Sequence, residues 1–131
     1  MQPPQAESIV GPDAAERVGT MAFEAVTDRA PQRATARRLG VASHYAFAGS
    51  VGVIYGLLAS RLPAIRRGYG CLYGALVWAV ADEGAMPALG LSRGPRELPS
   101  SVHAYALLGH CVFGATLETT LRSVVDKGRP I

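Results

Sequence analysis

Charge is scarce in this chain. Asp, Glu, Lys and Arg make up 18% of its 131 residues, against about 25% in ordinary soluble domains. The arginines that give a net charge of +3 come with no aromatic or lysine-rich face, so they do not read as a nucleic-acid footprint. Cysteine is limited to Cys71 and Cys111. Both fall in apolar stretches and read as small packing residues, not as a disulfide framework or a metal motif. Met1–Val10 is polar and contains proline, so no secretory signal is expected there. A nucleophile elbow, a P-loop, a dinucleotide fingerprint and an HExxH motif are all missing. The sequence therefore gives no catalytic residue, calls for no cofactor and no metal, and leaves no room for a catalytic domain beside a membrane anchor.

What is present is apolar and small. Hydrophobic residues reach 49% and glycine numbers 15, a composition that lets membrane helices approach closely. Residues 1–38 read as a mobile start (Met1–Pro12), a helix that Asp13 caps and that runs to about Asp28, then a basic linker, Gln32–Arg38, after Pro31. Val18, Met21, Ala22, Ala25 and Val26 share one helix face, so this amphipathic helix is expected to lie in the membrane interface or against a partner. Residues 39–131 read as three spans: Leu39–Leu58, Gly68–Leu91 and Ser101–Val125. About 20 residues at 1.5 Å each cross the roughly 30 Å hydrocarbon core. The expected fold is thus all-α, three transmembrane helices preceded by an amphipathic interfacial helix. A soluble helical bundle is the alternative.

Arg61–Arg67 is a short basic turn that returns the second span antiparallel to the first, and Ser92–Ser100 is a polar loop. Gly52 and Gly56 fall on a seam with Ala48 and Ser60, and Gly70 and Gly74 form a second small-residue pair. Gly114 shares a face with His110 and is also expected at a helix contact. Gly84 and Pro87 weaken the second span late.

Ionisable residues inside the spans are the informative feature. Counting from one side, His44 lies roughly 7–8 Å deep and Asp82 roughly 10 Å deep, with Glu83 beside it. On the third span His103 lies about 3 Å in and His110 about 13–14 Å in. His44, Asp82, Glu83, His103 and His110 therefore fall in one leaflet, where unpaired acids are expensive and histidine is the natural partner. On a regular helix adjacent residues differ by about 100°, so Asp82 is the inward candidate and Glu83 meets a histidine from the other side. The cluster reads either as a proton- or ion-handling site or as a polar clasp between helices. Glu118, near the opposite side, reads as an ion pair with Arg122 one turn on. A haem or metal at His103 and His110 is the third option.

Several of these residues carry a resemblance. His44-Tyr45-Ala46-Phe47, Gly52, Tyr55-Gly56, Gly68 to Gly74, Val77-Trp78, Asp82-Glu83, Pro87, His103-Ala104-Tyr105, Gly109-His110 and Phe113-Gly114 together resemble the YagU-like family of small bacterial inner-membrane proteins. The likeness covers about two-thirds of the chain. It implies a multi-span α-helical protein without an established activity, one relative being associated with acid tolerance, and a bacterial inner-membrane location. The chain departs from that pattern by lacking an apolar segment near its N-terminus. The first functional expectation is a non-enzymatic accessory or assembly subunit, partnered by the bilayer and by other membrane subunits or copies of itself. The second is a proton- or cation-linked membrane protein. Arginine and lysine together balance on the two sides, so orientation stays open.

Overall fold

Helix α1, Ala14–Thr27, opens the part of the protein that the structure, a computed structural model, describes, which is residues 14–128. The expectations for Met1–Pro12, for an Asp13 cap and for residues 129–131 lie outside the described residues. Asp28 takes a left-handed conformation, φ 54°, and closes the helix with its N–H on the Glu24 carbonyl at 2.8 Å. Met21 and Val26, from the apolar face read in the sequence, are exposed.

Helix α2 follows as one 29-residue rod, Arg33–Arg61. The expected linker Gln32–Arg38 is therefore helical almost throughout. Ala34, Arg37 and Arg38 are strong helix formers, and the Gln32 carbonyl already accepts the Ala36 N–H at 2.8 Å. The chain divides into two compact units after Ala48, within this helix. In the first unit α1 crosses the start of α2 at two glycines. A Cβ on Gly19 would fall 2.7 Å from the Leu39 carbonyl oxygen, and one on Gly40 would fall 3.0 Å from the Glu16 Cα.

The second unit holds the rest of α2, a 3-10 turn at Pro63–Arg66, helix α3 (Cys71–Val77), a π-helical stretch (Trp78–Ala85), a last turn α4 (Met86–Ala88) and helix α5 (Ser100–Lys127). The expected second span is thus not one regular helix from Gly68. Gly68, Tyr69 and Gly70 all have positive φ and form a turn that delays the helix to Cys71. Its later part widens for a physical reason. Pro87 has no N–H and its ring collides with the carbonyl four residues back in an α-helix. The π stretch, which hands the Met86 N–H to the Ala81 carbonyl, stands just before it.

Helices α3 and α5 run antiparallel and in very close contact. A Cβ on Gly70 or Gly114 would overlap the backbone of the other glycine, and one on Gly74 would overlap the His110 carbonyl. Gly70 also needs its φ of 84°, so glycine is required there twice over. Between these contacts Cys71 and Cys111 are joined by a disulfide, with their Cα atoms 4.2 Å apart. This corrects the reading of both as free packing residues: three glycines bring the two backbones within disulfide reach. The core of the unit is Val51, Tyr55, Ala59 and Tyr73. The Tyr55 and Tyr73 rings pack 4.9 Å apart, and the Tyr73 hydroxyl donates to the Val51 carbonyl at 2.7 Å.

All described residues that enter regular structure are helical, so the all-α class stands. Among them one helix, α2, is both long and apolar enough to cross a membrane. The second stretch is interrupted, and α5 carries Glu118, Arg122 and several hydroxyl residues in its later half.

Candidate functional site

Each acid of the Asp82-Glu83 pair meets a different histidine of α5. Glu83 Oε1 lies 2.5 Å from His103 Nδ1, and Asp82 Oδ2 lies 3.6 Å from His110 Nε2. His103 and His110 are seven residues apart, two turns, and so share a face of α5. The π stretch carries both acids toward that face. His44 belongs to the first unit, where its exposed ring packs edge-on against Tyr45 at 6.1 Å. Gly70, Gly74 and Gly114 sit at the α3–α5 crossing; Gly52 faces Leu117, its Cβ position 3.2 Å from a Leu117 methyl. Gly56 is open: a Cβ added there would meet nothing within 4 Å.

The histidine partners fix where protons stand. His103 Nε2 lies 2.9 Å from the Pro95 carbonyl. A carbonyl only accepts, so Nε2 carries a hydrogen. A neutral ring then has a bare Nδ1 facing Glu83 Oε1, and a 2.5 Å contact between two lone pairs is repulsive. The pair therefore holds one proton more than a neutral imidazole beside a carboxylate. His110 is set in the same way: Nδ1 donates to the Ala106 carbonyl at 2.9 Å, leaving Nε2 to face Asp82. Protonation of that nitrogen turns a lone-pair opposition into an ion pair. Among the described residues no group of three or more His, Cys, Asp or Glu converges as a metal site.

A second polar centre lies toward the other end of α5, about 22 Å away from His103 along the helix. Glu118 has no exposed surface. Its carboxylate accepts from the Tyr55 hydroxyl at 2.5 Å, from Arg66 Nη2 at 2.7 Å and Nε at 3.1 Å, and from Arg122 Nε at 2.6 Å. The Arg122 guanidinium also lies 4.9 Å from the centre of the Tyr69 ring. The hydrogen bonds from Arg66 to Glu118 hold that guanidinium above its ordinary pKa, so it stays charged. The Glu118–Arg122 pair expected from their spacing is present. The roles of Tyr55 and Arg66 are not among the sequence expectations; nothing local marks either, and for Arg66 the one signal is the register of the glycines once the helices are paired. Gly74 faces His110 and Gly70 faces Gly114. Four residues back from Gly70, in the turn before α3, and four residues on from Gly114 in α5, the same antiparallel register sets Arg66 against Glu118.

Comparison with curated proteins finds no match, and comparison with solved structures finds none. A family profile does match, over residues 11–119. It covers both units, including Tyr55, Asp82, Glu83, His103, His110 and Glu118, and its family has no assigned function, as the sequence leads one to expect. On that match the chain belongs to the family described as protein of unknown function DUF1440.

Proposed function

We propose that this is a small, non-enzymatic, multi-pass protein of the bacterial inner membrane, of the YagU-like type, whose two histidine–carboxylate pairs bind and release protons. The observation that carries this reading is the Glu83–His103 contact, backed by the Pro95 carbonyl, which retains a proton between two side chains. The Asp82–His110 pair, two helical turns deeper along α5, offers a second proton position. Ionisable pairs of this kind on membrane helices mark proton paths and proton-sensing positions.

Three spans are proposed: α2, the helical run Cys71–Ala88, and α5. At 1.5 Å per residue they measure about 43, 27 and 42 Å, enough for a hydrocarbon core of roughly 30 Å with slight thinning at the second. Outward-facing apolar residues support this. Val53, Leu57, Leu76, Val80, Leu108 and Val112 are all exposed, and apolar surface on every helix of a unit suits lipid or a partner, not water.

The test is a proton flux measurement on vesicles reconstituted with the full chain and loaded with a pH dye. Acidifying the outside should give faster internal acidification than empty vesicles show, with the excess lost in Asp82→Asn and in His110→Gln. Flux equal to empty vesicles, unchanged by either substitution, overturns the reading.

An accessory-subunit role is the second reading, favoured by the open glycines of α2. Gly49 and Gly56, two turns apart and on one face, have no neighbour within 4 Å of an added Cβ, and such a flat strip suits a partner helix. Mild-detergent purification should then retain a partner or a homo-oligomer; a monomer in every detergent and lipid disc would count against it.

A further inference from the structure

The Glu118 centre is not used by the proton reading, and its charges do not cancel. Two guanidiniums share one carboxylate, so the group keeps a net positive charge. The carboxylate is wholly buried, whereas the Arg66 and Arg122 side chains are 37% and 53% exposed. Glu118 and Tyr55 are therefore the fixed floor, and the arginines are the accessible layer above it. Arg122 uses Nε alone for Glu118 and rests on the Tyr69 ring. Beside it the Thr119 hydroxyl lies 3.4 Å from the Tyr69 hydroxyl. The surroundings add to the imbalance. Among the described residues of the end of α2, the turn after it and the last turns of α5, Arg61, Arg66, Arg67, Arg122 and Lys127 stand against only Glu118 and Asp126.

We propose that Arg66 and Arg122, braced from beneath by Glu118, form a seat for the phosphate group of an anionic phospholipid headgroup or of a soluble phosphate ester. Guanidinium forks match phosphate oxygens. Here their positions are set in advance by a carboxylate that cannot move, which reduces the ordering a ligand must impose. Arg66 gives Nε and Nη2 to Glu118 and Arg122 gives Nε, so the remaining guanidinium N–H groups, with the Tyr69 hydroxyl beside Arg122, exceed what a carboxylate's two oxygens can use. A tetrahedral phosphate uses them better. The excess positive charge favours an anion over a neutral polar group. The seat lies at the ends of α2 and α5, the level at which headgroup phosphates stand if these helices span.

The experiment uses the full chain purified in mild detergent and stripped of phospholipid, with binding followed by native mass spectrometry and calorimetry. Phosphatidylglycerol and inorganic phosphate are the probes. Wild-type protein should bind phosphatidylglycerol, more weakly as salt rises. Arg122→Gln should bind about tenfold more weakly, the loss of one charge-assisted contact. Arg93→Gln, in the loop before α5, should bind as wild type. Displacement of the lipid by inorganic phosphate assigns the seat to a soluble phosphate; resistance to displacement assigns it to a headgroup. Arg122→Gln leaves the Arg66–Glu118 bonds in place. If it still fails to fold, Arg122→Lys keeps the charge, loses the fork and should weaken binding several-fold. The proposal is overturned if wild type binds neither probe, if the Arg122 variants bind as wild type, or if Arg93→Gln weakens binding equally. None of these outcomes depends on proton flux.

Discussion

Glu118 takes a full negative charge to a place with no exposed surface, and its neighbours explain how it stays there. The hydrogen bonds it accepts come from three directions: Tyr55 from α2, Arg66 from the turn, Arg122 from its own helix. Removing only the tyrosine hydroxyl leaves both ion pairs. Tyr55→Phe should therefore lower stability by about 1.5–3 kcal/mol, the worth of one hydrogen bond to a charged group. Glu118→Gln leaves two arginines facing a neutral amide and should lower it by about 1–3 kcal/mol, less than for a fully buried pair because both guanidiniums can turn to solvent. Thermal and denaturant unfolding in detergent check both values. Equal and negligible losses would mean that the centre is solvated and holds nothing together.

At the level of elements the α3–α5 contact dominates. Its register repeats every four residues, Arg66 to Glu118, Gly70 to Gly114, Gly74 to His110, and the Cys71–Cys111 disulfide lies inside it. A methyl at Gly74 has nowhere to go, because its nearest neighbour is backbone and cannot rotate aside. Gly74→Ala should destabilise the protein by about 1–3 kcal/mol, the usual range for overpacking. It should also slow disulfide formation, followed by thiol labelling of the reduced protein. Gly56→Ala meets open space and should be neutral or stabilising by up to about 1 kcal/mol in the isolated chain, since alanine is the better helix former. Loss of an oligomer in Gly56→Leu, without loss of helix content, would assign that open strip to a partner.

For the whole molecule the sequence is most informative where its signal is periodic. The C-terminal end of α1 and both ends of α5 fall within a residue or two of where the apolar pattern and Pro31 or Ser101 place them. The small-residue spacing at Gly70, Gly74 and Gly114 marks these positions for close helix contact, and the structure supplies which helices meet there. Other features stay hidden for different reasons. The π stretch arises from Pro87 acting on a helix that already contains Gly84, and periodicity read at 3.6 residues per turn is blind to such a change of pitch. The burial of Glu118 depends on Arg66, which sits in a four-residue turn and has no local pattern to announce it. The Cys71–Cys111 bond is likewise invisible, since a forty-residue separation becomes a contact only once the antiparallel register is known. Depth alone groups His44 with the acids in the sequence; His44 belongs to the first unit and the acids to the second.

The central claim is a proton retained between Glu83 and His103. Nitrogen and carboxyl-carbon NMR of the full chain in lipid discs, with histidine and glutamate labelled, reads that proton directly. At neutral pH the expected result is a second ring N–H on His103 held against Glu83, and its loss in Glu83→Gln. A neutral His103 ring beside an ionised Glu83 in the unsubstituted protein would contradict it.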